Sequence, residues 1–191
     1  IMDVVLKAAG VNITGSKSKV KMNFSGVDVE GENDIEIDGK VFDTKSASPW
    51  AFTNKFIDFE TLKEDDPFGY ISQLVGYSVS QGKEPGGWIV VNKATGEVKI
   101  IEVDMSQKEI DDIVLEMNQT VVKISTDAPF ERCFEPEEEK FRGKPTGSLR
   151  LPSTCGFCPY LAKCWPGAVY KPQTGSQAQS PKYYWYAKYE G

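Results

Sequence analysis

Asp34-Ile35-Glu36-Ile37-Asp38-Gly39-Lys40-Val41-Phe42-Asp43-Thr44-Lys45 reads as two short strands, Asp34 to Ile37 and Lys40 to Lys45. They fold about Asp38-Gly39, a pair favoured in tight hairpin turns because both residues tolerate positive φ. Val41 and Phe42 make the second arm apolar, as expected of a strand inside a core. Asp43 and Lys45 are two residues apart and therefore project from one face of that strand.

Upstream of the hairpin, Ile1 to Ala9 has helical character and Gly10 is a suitable stop. Lys17 to Phe24 alternates Lys17, Lys19 and Lys21 with Val20, Met22 and Phe24, which predicts a strand with a basic face. Ser25 to Glu32 reads as turn. The chain opens on Ile1 in a helix already under way, so further residues are expected to precede it.

Downstream, Ser46 to Phe59 is expected to be a loop and then a short helix rich in aromatics. A firmer helix follows Asp65-Asp66-Pro67, whose acids and proline suit a helix start, and ends near Gln81 and Gly82. Gly87 to Val91 and Glu97 to Val103 predict a second hairpin. Gln107 to Lys123 is an amphipathic helix with Ile110, Ile113, Val114, Met117 and Val121 along one face. The order of helix, three strands, helix, two strands, helix predicts an α/β (α+β) fold, a mixed sheet flanked by helices. From about Asp127 the texture becomes acidic, Pro- and Gly-rich and cysteine-bearing. The predicted division is residues 1–126 as the core and 127–191 as a small region stapled by metal. The acidic run Glu135 to Glu139 reads as a solvated loop, and Tyr170 to Gly191 shows no clear periodicity.

Composition limits the chemistry. The chain has 191 residues, 22 Lys and Arg against 28 Asp and Glu, a net charge of −6 and no histidine. Within these residues a His-based triad, a His general base and His-ligated zinc are excluded. No apolar run approaches the roughly 18 residues of a membrane helix. Carboxylates, lysine, tyrosine and cysteine are what remain.

Phosphodiester hydrolysis needs a hard divalent cation, an attacking water and positive charge near the phosphorane. Asp34 and Asp43, on the two arms of the hairpin, can converge as metal ligands, with the Thr44 backbone carbonyl as another. Lys45 is then placed to orient or activate water. Gln73 and Tyr77, four apart on a predicted helix, share one face and offer neutral donors. Charges on a surface hairpin and ordinary boundary residues on a helix would produce the same letters singly; the ensemble is what points to a site.

The four cysteines, Cys133, Cys155, Cys158 and Cys164, lie in the last third of the chain. Their clustering favours a metal site over disulfides and implies a reducing, cytoplasmic setting. Four thiolates suit either an iron–sulfur cluster or tetrahedral zinc, and spacing alone does not choose.

Gly31-Glu32-Asn33-Asp34, Asp43-Thr44-Lys45-Ser46 and Gln73-x-x-x-Tyr77, in this order, resemble the RecB-like branch of the PD-(D/E)XK nuclease superfamily. Lys45 to Gly76 looks like phage-type members, which would place the protein in a host cytoplasm. The resemblance covers about Ile1 to Asp104 and implies a restriction-endonuclease-like core. It also implies a Mg²⁺- or Mn²⁺-dependent DNA exonuclease or nuclease of recombination, repair or replication. By carry-over, Asp34 and Asp43 bind the metal, Lys45 acts on the water, and Gln73 and Tyr77 shape the site and contact DNA. Oligomers occur among such nucleases, though nothing in the sequence indicates one.

Cys155-x2-Cys158-x5-Cys164 resembles the cysteine triplet of RecB-like nucleases that hold a 4Fe–4S cluster, with Cys133 as the fourth ligand here and structural Zn²⁺ as the alternative. In one respect the chain departs from the pattern. The family carries an acidic or histidine ligand on an earlier helix, and Asp3 is badly placed for it, so that ligand is expected before Ile1. Two other classes stand beside the enzyme: a nucleic-acid-binding module on an inactive nuclease core, and an iron–sulfur or zinc interaction protein.

Overall fold

A computed structural model describes residues 2–126, 129 and 131–191. Ile1, the first residue of the expected helical stretch, and Asp127, where the second region was expected to begin, lie outside the described residues. The chain divides into two compact units, Ile1–Pro129 and Phe130–Gly191.

The first unit begins with helix α1 (Met2–Ala8) and strands β1 (Ile13–Ser16), β2 (Lys19–Phe24), β3 (Val27–Glu32), β4 (Ile35–Ile37) and β5 (Lys40–Ala47). Helices α2 (Pro49–Asn54), α3 (Phe59–Glu64) and α4 (Tyr70–Ser80) follow, then β6 (Pro85–Asn92), β7 (Val98–Glu102) and α5 (Gln107–Ser125). A five-stranded sheet runs in the order β1-β4-β5-β6-β7. β5 and β6 are parallel, whereas the other neighbours are antiparallel. Two parallel strands need a long crossover, and α2 to α4 supply it. The expected mixed sheet flanked by helices is present.

The β4–β5 turn forms as its sequence predicts. Asp38 (φ 49°) and Gly39 (φ 79°) both take the left-handed conformation that a two-residue hairpin requires. Alternation along the strands then sorts the core. Val41, Ala47, Trp88 and Val90 pack with Phe52, Phe56, Phe59, Leu62 and Leu74 from the crossover helices. Ile35, Ile37, Phe42 and Ile89 face the other way and bury Leu6 of α1. Asp43 and Lys45 lie in the same alternating row as Val41 and Ala47, under α4, so a charged pair is set into a hydrophobic face.

Several local expectations are corrected. Ser25 to Glu32 is not a turn: only Ser25 and Gly26 turn, and Val27–Glu32 is a strand paired with β2 in a separate two-stranded sheet. The basic face of β2 is therefore neutralised by acids on its partner. Lys19 lies opposite Glu32 and Lys21 opposite Glu30, with Lys21 Nζ 2.7 Å from Asp28 Oδ2. Ser46 and Ala47 extend β5, the short helix of this stretch is α2, and a further short helix, α3, follows it from Phe59. Ser48 caps α2 and Asp58 caps α3, each through its side chain to a backbone N–H.

The second unit contains β8 (Glu137–Phe141), β9 (Lys144–Arg150), a 3-10 turn (Ser153–Phe157), α6 (Leu161–Cys164), β10 (Val169–Pro172) and β11 (Tyr183–Lys188). Its strands form an antiparallel sheet in the order β10-β11-β9-β8. Two expectations fail here. The tail holds regular strands, and the acidic run contributes β8 rather than a solvated loop. Glu139, 2 % exposed, is held by Tyr186 Oη (2.6 Å) and Thr146 Oγ1 (3.0 Å). A buried carboxylate needs such donors, and they come from residues 47 and 7 positions away, beyond the reach of a local reading. Among the described residues no helix is long and apolar enough to cross a membrane.

Candidate functional site

Asp34, Asp43, Lys45, Gln73 and Tyr77 are brought together on the face of the sheet under α4. The amide of Thr44 donates to Asp34 Oδ2 at 2.8 Å and fixes that carboxylate against β5. Lys45 Nζ stands 2.7 Å from Asp43 Oδ2 and donates to Gln73 Oε1 at 2.8 Å. Gln73 Nε2 in turn donates to Tyr77 Oη at 3.2 Å. The chain of contacts Asp43, Lys45, Gln73, Tyr77 links strand to helix, and the spacing of four in α4 is what puts Gln73 and Tyr77 in line.

Asp43 is the least comfortable member. It is 5 % exposed, and burial pushes its pKa above the usual carboxylate range. The Lys45 ammonium opposes that rise, while Asp34 beside it adds to it. Lys45 Nζ is close enough to Asp43 Oδ2 to form an ion pair, yet this oxygen has no hydrogen-bond donor. Asp43 Oδ2 is thus a buried acceptor beside Asp34 that has an ionic partner in Lys45 but no hydrogen-bond donor.

Residues absent from the motif reading complete the surroundings. Lys17 Nζ lies 3.1 Å from Asp34 Oδ1 and 3.5 Å from Glu32 Oε1. Lys45 Nζ sits 4.6 Å from the centroid of the Tyr70 ring. Tyr70 in turn neighbours Phe68 (5.8 Å) and Phe56 (5.9 Å), with Lys55 over the Phe68 ring at 5.5 Å. Tyr70 has its pKa raised by burial and by the nearby Asp66 and Asp43 carboxylates. Glu36, 4 % exposed, accepts from Asn33 Nδ2 (3.1 Å) and pairs with Lys83 (2.5 Å). Its spacing of two from Asp34 puts it on the same strand face, a signal that was legible; its engagement by Lys83 was not. Asp3, set aside as a ligand, accepts a hydrogen bond from Ser16 Oγ, which lowers its pKa.

In the second unit all four cysteines are free thiols. Cys155 is buried in the 3-10 turn, and the Cys158 amide donates to the Cys155 carbonyl at 3.2 Å. Arg132, adjacent to Cys133, lies 3.9 Å over the Trp165 ring and donates to the Cys164 carbonyl at 3.1 Å. That clip ties the residue before Cys133 to the backbone of Cys164 across a long sequence gap. Burial pushes the Cys155 thiol up, and Cys158, Cys164 and Cys133 each add to the rise. Among the described residues, however, no group of three or more Cys, Asp or Glu side chains is arranged as it stands to hold a metal ion.

Comparison with protein-family models finds no match, and comparison with curated proteins finds none either.

Proposed function

We propose that the chain is a divalent-metal-dependent DNA nuclease of the RecB-like PD-(D/E)XK type, hydrolysing phosphodiester bonds. The observation that carries this reading is Asp43 Oδ2: a buried carboxylate oxygen with no hydrogen-bond donor, beside a second carboxylate and a lysine. Lys45 already pairs with it, and a buried carboxylate oxygen that no donor saturates, next to a second carboxylate, can take a further cation. Asp34 and Asp43 fit Mg²⁺ or Mn²⁺, which prefer oxygen ligands, and the Thr44 carbonyl is a candidate third donor. When bound, such an ion supplies Lewis-acid polarisation of the phosphate and a more acidic water.

The protein's own residues do the rest. Thr44 N–H holds Asp34 in one orientation. Lys45, tied by Gln73 and lying over Tyr70, presents its ammonium beside the carboxylates, where it orients a water and offsets charge building on the phosphate. Gln73 and Tyr77 form a neutral hydrogen-bonded pair suited to a phosphate or sugar oxygen. Phe68 and Tyr70, with Lys55 over them, suit a base next to the cleaved bond.

The four cysteines are the groups that would hold a thiolate-bound structural centre, a 4Fe–4S cluster or zinc, and what supports this is the chemistry of four thiols in one small unit. Its role would be to hold the second unit's loops together, and a thiolate-bound centre of this kind suits a reducing, cytoplasmic setting.

The decisive experiment is hydrolysis of labelled single-stranded, blunt duplex and circular DNA with and without Mg²⁺ or Mn²⁺. Metal-dependent products that vanish in Asp43→Asn and Lys45→Ala are expected. Cleavage unchanged by both substitutions would reject the site.

A further inference from the structure

We infer that Lys17 competes with the divalent cation for Asp34 and, once displaced from it, binds a phosphate of the substrate. This rests on Asp34 being a ligand of that cation, as proposed above. Lys17 falls between β1 and β2 at φ 53°, a left-handed conformation that disfavours residues with a Cβ and usually goes to Gly or Asn. Its surroundings hold it there. The Lys17 amide donates to the Asp34 carbonyl at 3.1 Å and the Asn33 amide to the Ser18 carbonyl at 3.0 Å. The Ser18 amide donates to Asn33 Oδ1 at 2.9 Å, and Asn33 is fully buried. Strain kept in place by such a set of bonds points to a use for the side chain that bears it. That side chain reaches Asp34, with Lys17 Nζ 3.1 Å from Asp34 Oδ1.

The two oxygens of Asp34 are engaged differently. Oδ2 accepts the Thr44 amide, a fixed backbone donor, at 2.8 Å. Oδ1 accepts the ammonium at the end of an exposed, flexible four-carbon stem. A cation that takes Asp34 as a ligand leaves the first bond in place. At Oδ1 it meets a like charge, and the divalent ion has the larger charge and Asp43 as a further ligand. Lys17 is the partner able to move. Its side chain is 66 % exposed, whereas that of Lys45 is 18 % exposed and tied to Asp43 and Gln73. Charge then decides where the ammonium goes. Glu32 stands 3.5 Å away, and a substrate phosphate drawn to the ion brings further negative charge within reach of the stem. Glu32 and Asp34 make this rim of the site acidic, so a polyanion approaching it needs a cation there. Lys21, on the neighbouring ribbon, is paired with Asp28 at 2.7 Å instead.

The test is Mn²⁺ binding to the full chain, read from the electron paramagnetic resonance of the free ion at about 0.15 M salt, where distant charges are screened. Lys17→Gly removes the competing ammonium and suits the left-handed backbone, so the fold is kept. It is expected to bind Mn²⁺ about two- to fivefold tighter, the range an exposed ion pair commands. Lys21→Ala, which removes an equal charge from the neighbouring ribbon, should change nothing. With Ca²⁺ in place of Mn²⁺, anisotropy of a labelled duplex should show Lys17→Gly binding DNA about threefold or more weaker, with a salt slope smaller by about 1. The two changes have opposite signs, which loss of a merely structural residue would not give. Unchanged or weaker Mn²⁺ binding in Lys17→Gly, an equal gain in Lys21→Ala, or undiminished DNA binding would each overturn the inference. Asp43→Asn separates it from the metal site on which it rests. Mn²⁺ affinity kept in that variant removes the site and the inference together, whereas affinity lost there but unchanged in Lys17→Gly removes the inference alone.

Discussion

Gly31 and Tyr77 occupy each other's space: a Cβ placed on Gly31 would lie 2.7 Å from Tyr77 Cε1 and 3.2 Å from its hydroxyl oxygen. The glycine of β3 is thus the floor on which the tyrosine of α4 rests, and that ring is the far end of the Lys45–Gln73–Tyr77 hydrogen-bonded row. Gly31→Ala is expected to displace Tyr77 and break its bond to Gln73. Hydrolysis should fall about tenfold or more, since misplacement of a positioning group by an ångström is that costly, while the melting midpoint moves little. Activity equal to the parent protein would show that Tyr77 is not needed where it stands.

Asp43 and Lys45 should separate chemistry from stability. Lys45→Ala leaves a buried carboxylate without its cation and is expected to destabilise the fold by about 3 kcal/mol. Asp43→Asn removes the desolvated charge itself and should leave the fold intact. Both are expected to lower metal-dependent cleavage by about 10²-fold or more. Urea unfolding alongside the nuclease assay checks the pair; equal stability loss in the two variants would contradict the burial argument.

Glu109 closes the capping box of α5. It accepts from the Ser106 amide and hydroxyl, both at 2.8 Å, and lies 3.2 Å from Lys63. The Ser106 bonds, with Lys63 assisting, pull its pKa from 4.5 to about 2. A carboxylate whose folded pKa is depressed lends stability above its unfolded value and loses it as pH falls through the folded value. The Glu109 contribution is therefore complete above 4.5 and lost between 4.5 and about 2. Glu109→Ala should lower the melting midpoint at pH 7 and flatten its pH dependence in that window. An unchanged acid limb would rule out the cap as the source.

Tyr186 and Glu139 hold the second unit's sheet from within. The Tyr186 hydroxyl has its pKa raised by burial and by the carboxylate it donates to. Tyr186→Phe leaves Glu139 Oε1 without that donor and should cost about 1–3 kcal/mol. Double substitution with Glu139→Gln should recover part of the loss, which differential scanning calorimetry can read.

Cys155 is the buried member of the thiol group. Metal analysis of protein purified without oxygen should find iron with sulfide, and a brown colour, or zinc and no colour. Cys155→Ser should remove the metal and loosen the second unit to proteolysis. Full metal content in Cys155→Ser would exclude it as a ligand.

The hairpin around Asp38-Gly39, the helix entering after Pro67 and the amphipathic α5 were legible because each follows from local periodicity and turn chemistry. Asp43 with Lys45, and Gln73 with Tyr77, were legible because each pair's spacing follows one strand or one helix, and Asp34 because it lies on the other arm of the same hairpin. β3, the strands of the tail and the buried Glu139 were not. Their stability comes from partners distant in sequence: β2 for β3, β10 and β9 for β11, and Tyr186 for Glu139. No local signal marks a charged strand whose charges are paired across a sheet.

By itself, the sequence determined which groups were available: carboxylates and lysine without histidine, and four thiols gathered late in the chain. It also determined the alternation that puts Asp43 and Lys45 on one face. Only the tertiary structure decided that this face lies under α4, that Asp43 Oδ2 is left without a donor, and that Gly31 gives way to Tyr77. Burial and close approach are set by which elements pack together, and desolvation, the cause of Asp43's raised pKa, exists only once they have.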